Sequence, residues 1–138
     1  MTPADLAYCV GIFEGEGCAG VYHIHPSRGG AYWVARISVG MDDPEPVRFL
    51  HIALGGNYCV GHSQSEKRRG RPPRFRWSVS SQQALRVARL LLPVCKSKRK
   101  AAQCQKIIEH YSPALVQDRN QDRIAKILTT YRRKAVAS

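Results

Sequence analysis

Two glutamates and two glycines near the start of the chain have the residue types and spacing that phosphodiester chemistry uses. They lie in Cys9-Val10-Gly11-Ile12-Phe13-Glu14-Gly15-Glu16-Gly17. Gly11 and Gly15 are four apart, so on a helix they share one face and leave it without Cβ atoms. Such a face lets two helices approach backbone to backbone. Glycine within a helix costs roughly 1 kcal/mol relative to alanine, so Gly11 asks for a packing reason. Glu16 then stands at the helix end, where its carboxylate projects past the last turn. Two such helices packed together set two carboxylates side by side at the bottom of the contact. Paired carboxylates bridging divalent cations activate water against a phosphodiester. The plainer reading makes Glu14 and Glu16 surface residues at a helix terminus.

The elements that must position these residues can be read along the chain. Thr2-Pro3-Ala4-Asp5 reads as an N-cap, a first-turn proline and an acidic residue. Leu6, Cys9, Val10 and Phe13 follow at helical spacing, and Gly15-Glu16-Gly17 permits a sharp exit. Residues 18–25 are strand-like and 26–30 make a turn. In the second strand, 31–41, Trp33, Ala35, Ile37 and Val39 predict a core face, against Tyr32, Val34, Arg36 and Ser38 on the other. Asp43-Pro44-Glu45-Pro46 starts a second helix through Val47, Leu50 and Leu54 to a Gly55-Gly56 stop. Residues 58–64 read as a third strand. Residues 74–79 read as a fourth, with Phe75, Trp77 and Val79 opposite Arg74, Arg76 and Ser78. Ser81 caps a third helix that Pro93 closes, and helical stretches over about 99–111 and 114–134 complete the chain. The order α-β-β-α-β-β-α predicts an α+β fold: one antiparallel four-stranded sheet with helices packed on one face, plus additional C-terminal helices.

With 138 residues, 43% of them apolar, the chain is expected to be a single domain with its own core. No stretch approaches the ~20 apolar residues of a membrane span. Residues 6–13 lack the basic lead of a signal peptide and meet Glu14 and Glu16 at once, so an intracellular, cytoplasmic protein is expected. Cys9, Cys18, Cys59, Cys95 and Cys104 are too scattered for zinc and read as small reduced core residues. The 22 Lys+Arg against 10 Asp+Glu leave a net charge of +12, which calls for an anionic partner, nucleic acid first. That charge is concentrated. Lys67, Arg68, Arg69, Arg71, Arg74 and Arg76 share one hairpin, and Lys96, Lys98, Arg99 and Lys100 one short loop. With Arg36, they suggest a sheet whose polar, basic face lies along a duplex; the alternative is a solvated hairpin tip.

Other chemistries fare worse. His23 and His25 straddle Ile24 on one strand face, but no third metal ligand is near, and they read as ordinary polar strand residues. Nothing marks a nucleophile for a Ser/His/Asp or Cys/His arrangement. The glycines of 15–20 lead into a strand rather than a helix, so they form no phosphate-binding loop.

Residues 9–17 resemble the LAGLIDADG motif, with Glu at both acidic positions, and Leu6-Ala7-Tyr8 fits its flank. The element order matches that family's core. Leu91-Leu92-Pro93-Val94-Cys95-Lys96-Ser97-Lys98 resembles its second recurrent stretch. The resemblance spans about 4–111, leaving 112–138 as a helical extension. It implies a site-specific homing endonuclease that hydrolyses double-stranded DNA with Mg²⁺ or a substituting divalent cation, and no small-molecule cofactor. Glu16 and Gly15 then map to the metal site and Lys98 to the lysine near the scissile phosphate. The polar residue that commonly ends the family's second strand falls on Met41, a departure that leaves neighbouring Asp42 or a different solvent network to act. Only one motif is present, which implies a C2 homodimer through Ala7, Tyr8, Gly11, Ile12 and Gly15, and a pseudo-palindromic target. Its charge is about +24, twice that of one chain, and its binding should weaken steeply with salt. Alternation and family pattern together place Tyr22, Ile24, Tyr32, Val34, Arg36, Ser38, Tyr58, Val60, His62, Gln64, Arg74 and Arg76 toward DNA. Lys67, Arg68, Arg69 and Arg71 hold phosphates. The first and third strands alternate weakly, and a one-residue slip would swap their faces. Rival readings keep the fold without cleavage, as an RNA-splicing maturase or DNA-binding regulator, or explain the charge alone, as a ribosome-associated protein.

Overall fold

The computed structural model describes residues 1–137, with side chains given except at 114–119 and 137. Two compact units are present, Met1–Ile108 and a second beginning at Glu109.

In the first unit, α1 (Pro3–Glu16) starts on a capping box: Thr2 Oγ1 accepts from the Asp5 amide while the Asp5 carboxylate accepts from the Thr2 amide. It runs straight into β1 (Gly17–Ile24), which pairs antiparallel with β2 (Tyr32–Met41). Next come α2 (Pro44–Leu54), β3 (Asn57–Gly61), a five-residue helix α3 (Gln64–Arg68), β4 (Arg74–Ser80), α4 (Ser81–Leu91) and α5 (Lys98–His110). The second unit contains α6 (Pro113–Ala137). The sheet is antiparallel throughout, in the order β1-β2-β4-β3.

The core lies between one sheet face and the helices. Ala19, Ala35, Ile37, Val39, Trp77 and Val79 supply the sheet side; Phe13, Val47, Leu50, Leu54, Leu91 and Ile107 are among the helix residues that bury against it. Trp77 is fully buried and donates its indole N–H to the Gly55 carbonyl at 2.7 Å. The bend from α2 into β3 is as tight as glycine allows. Gly56 has φ +92°, and a Cβ there would stand 2.5 Å from Val79 Cγ1 and 2.6 Å from the Ser78 carbonyl.

Four expectations are corrected. Trp33 is on the face of Ala35 and Ile37 but lies beyond the helix layer, more than half exposed and stacked on His23 with ring centroids 4.5 Å apart. The third strand ends at Gly61, because Ser63 and Glu66 form a capping box that turns residues 64–68 into a helix. The N-cap of α4 is Ser80 rather than Ser81, and it makes no side-chain cap bond. Of the cysteines, Cys9 and Cys104 are buried, whereas Cys18 and Cys59 are exposed. Burial pushes the Cys9 thiol up to about 11 and the Cys104 thiol up to about 12, so both stay neutral in the core.

Candidate nuclease site and nucleic-acid interface

The two glutamates of the motif have different surroundings. Glu14 turns back toward the segment before α5: its carboxylate accepts the Lys96 amide at 2.8 Å and the Ser97 amide at 3.1 Å. Glu16, at the last position of α1, is exposed and has no hydrogen bond or ion pair among the described residues. The helix closes with the Gly17 amide donating to the Phe13 carbonyl, so Gly15 lies past the last capped acceptor. A carboxylate and a main-chain carbonyl at one helix end are hard oxygen donors, the kind Mg²⁺ takes. They are too few for a complete shell. No group of three or more His, Cys, Asp or Glu that could hold a metal occurs among the described residues.

The lysine segment packs against the motif through α5. Ser97 Oγ accepts the Lys100 amide, and Lys98, the first residue of α5, is exposed. Lys100 is turned inward instead: its ammonium donates to the Gly17 carbonyl and lies 5.6 Å from the Phe13 ring centroid. Gln103, one turn on, accepts the Ala19 amide at 3.1 Å. Sequence reasoning reaches neither Lys100 nor Gln103 as a site residue. Their only signal there is i, i+3 spacing on a helix whose next turn buries Cys104 and Ile107.

Met41 pairs with Phe75 and so lies on the helix-side parity of β2. Asp42 is held 3.5 Å from Arg74 Nε, and Arg74 also donates to the Gly40 carbonyl at 3.0 Å.

The registers place Cys18, Tyr22 and Ile24 of β1 on the same outer face as Tyr32, Val34, Arg36 and Ser38 of β2. Arg74, Arg76 and Ser78 of β4 join them. The 3.4 Å hydrogen bond shared by Cys18 Sγ and the Tyr22 hydroxyl, together with partial burial, raises the Tyr22 phenol above its ordinary pKa. On β3 the expected parity is reversed. Tyr58 pairs with Trp77 and Val60 with Phe75, so both share the helix-side face, and the outer residues are Asn57, Cys59 and Gly61. The cause is aromatic packing: the Tyr58 ring stacks on Phe75 at 6.4 Å, with the Arg48 guanidinium 6.0 Å from its centroid. His62 and Gln64 are off the sheet. His62 is bonded to the Arg71 carbonyl at 2.7 Å, and Gln64 opens α3. Lys67, Arg68, Arg69 and Arg71 are exposed on and after α3.

One face of α1 is left open by the described residues of its own unit, apart from the Tyr8 ring, which meets Phe49 edge-on at 4.9 Å. Ala4, Ala7, Tyr8, Gly11 and Gly15 are exposed and Ile12 is half-buried, and a methyl group placed on Gly11 or Gly15 would meet nothing within 4 Å. Among the described residues, nothing accounts for the glycine at 11.

The fold recurs in solved structures. The chain has the LAGLIDADG homing endonuclease fold. It superposes on I-CvuI in complex with its target in the presence of calcium with a TM-score of 0.58 and 14% identity, over 74% of this chain and 62% of that one. The group I intron-encoded homing endonuclease I-CeuI complexed with DNA gives 0.59 and 14%, over 88% and 59%. The I-LtrWI LAGLIDADG homing endonuclease bound to target DNA gives 0.58 and 14%, over 83% and 42%. In these three superpositions the chain spans less than two thirds of the other protein's length. No family model and no curated protein matches the sequence. Among the described residues, no helix is long and apolar enough to cross a membrane.

Proposed function

We propose that this chain is a site-specific, metal-dependent DNA endonuclease of the homing type that works as a homodimer. One observation carries the reading: Glu16 is an exposed carboxylate with no partner among the described residues, at the foot of a helix face whose Gly11 and Gly15 the described residues of its own unit leave open. Packing two copies through Ala7, Tyr8, Gly11, Ile12 and Gly15 brings two Glu16 side chains together and supplies the cover that Gly11 lacks. Glu16 and the Gly15 carbonyl of each copy would hold Mg²⁺, completed by water and phosphate oxygens. Held there, Mg²⁺ would stabilise charge on the phosphate and lower the pKa of an attacking water. Glu16 fixes where the cation sits. Lys98, exposed at the start of α5, offsets negative charge at the phosphate as a point charge. Arg36, Arg74 and Arg76 read guanine edges from the outer face of the sheet, and the residues at 67–71 grip phosphates beyond it.

The test is cleavage of DNA spanning the chromosomal locus with the gene removed, in Mg²⁺. Double-strand breaks by wild type and none by Glu16→Gln support the proposal; an uncut wild-type reaction refutes it. A second reading, a nucleic-acid-binding protein of the same fold that does not cut, is favoured by Met41, which offers no polar group where the family commonly has one. Sequence-selective binding without cleavage in any divalent cation would select it.

A further inference from the structure

We propose that Gln103 is a positioning residue that locks the lysine segment to the acidic tip of α1; the proposal rests on the nuclease reading. Among the described residues β1 is an edge strand, paired with β2. The backbone groups along its free side point away from the sheet and need partners. Two of them are met from α5. Lys100 donates to the Gly17 carbonyl and Gln103 Oε1 accepts the Ala19 amide at 3.1 Å, three residues beyond Glu16. At the other end of the same contact, Glu14 accepts the Lys96 and Ser97 amides. Lys98 is therefore bracketed in sequence by groups bonded to the motif, at 96, 97 and 100, and to β1 just beyond it, at 103, while its own side chain is exposed.

These four bonds join residues 82–84 positions apart across two elements that carry the proposed chemistry. Displacing one catalytic group by about 1 Å is enough to cost about a hundredfold in rate. Gln103 acts through the acceptor oxygen of its side chain alone. An acceptor-retaining substitution should therefore keep the lock, and a shape-retaining one without an acceptor should release it.

The experiment compares Gln103→Met and Gln103→Glu in the full-length protein. Single-turnover cleavage in Mg²⁺ is expected to fall about tenfold or more in Gln103→Met and to return to within about threefold of wild type in Gln103→Glu. DNA affinity measured in Ca²⁺ should stay within about twofold for both, because the outer face is untouched. Equal losses in the two variants, or affinity falling in step with rate, would overturn the proposal. A second readout needs no activity: the Ala19 amide should exchange its hydrogen faster in Gln103→Met than in wild type or Gln103→Glu. If wild type does not cut, the nuclease reading fails while this exchange pattern still decides the lock. Unchanged Ala19 exchange in Gln103→Met rejects the lock itself.

Discussion

At one edge of the sheet, β1 runs eight residues straight out of α1 and has free-side backbone groups taken by Lys100 and Gln103. At the other edge, β3 runs five residues and gives way to a cationic helical turn held by the local Ser63–Glu66 box. The first edge is fixed by bonds between residues more than 80 positions apart; the turn at the second by bonds three to nine apart. Long-range bonds define a position relative to the core, whereas a local cap defines only the shape of a turn. Metal-dependent chemistry needs the former. The phosphate gripping proposed for Lys67, Arg68 and Arg69 tolerates the latter, because charge attraction is weakly directional and acts over about 10 Å at 0.1 M salt.

The largest expected effect falls on the β1 side alone. Glu16→Gln should lower the cleavage rate by on the order of a thousandfold or more, with DNA affinity in Ca²⁺ retained. Substituting Lys67, Arg68 and Arg69 by alanine together should do the reverse. Affinity should drop, and the slope of log K against log salt should shrink by up to about 3, one for each phosphate no longer neutralised, with cleavage of fully bound DNA nearly unchanged. Rates and affinities falling together for both would erase the distinction between the edges.

Smaller effects test what holds each edge. Gly56→Ala, at the entry to β3, should destabilise the fold by about 1–3 kcal/mol in denaturant unfolding, since φ +92° and the Val79 contact both oppose a side chain. Removing the cap oxygen from α1 by Thr2→Ala should cost about 1 kcal/mol. The same change at Ser63 should leave global unfolding within about 0.5 kcal/mol, because α3 buries nothing and can unwind by itself. Equal destabilisation by the two cap substitutions would show that α3 is part of the cooperative core.

Legibility in the sequence follows the same division. The α1 cap, the alternation of β2 and β4, and the Gly55-Gly56 stop are local signals with strong physical causes, and each falls where expected apart from the exposed Trp33. The parity of β3 is not legible because Tyr58 suits either face, and packing against Phe75 and Arg48 settles it. The Ser63-x-x-Glu66 box is present in the sequence and marks the end of β3, but the density of charge around it reads as loop. Lys100 and Gln103 are illegible for a different reason: their partners are backbone groups of a distant strand edge, which no spacing within α5 reveals.

The central claim is that two chains each contribute one Glu16 to cut two strands. It is tested most directly by mixing differently tagged wild-type and Glu16→Gln chains, isolating the three dimers, and incubating each with supercoiled plasmid carrying the site in Mg²⁺. The account predicts linear DNA from the wild-type pair, predominantly nicked circles from the mixed pair and uncut plasmid from the Glu16→Gln pair. A mixed pair that linearises the plasmid as fast as wild type, or chains that form no dimer to isolate, would contradict it.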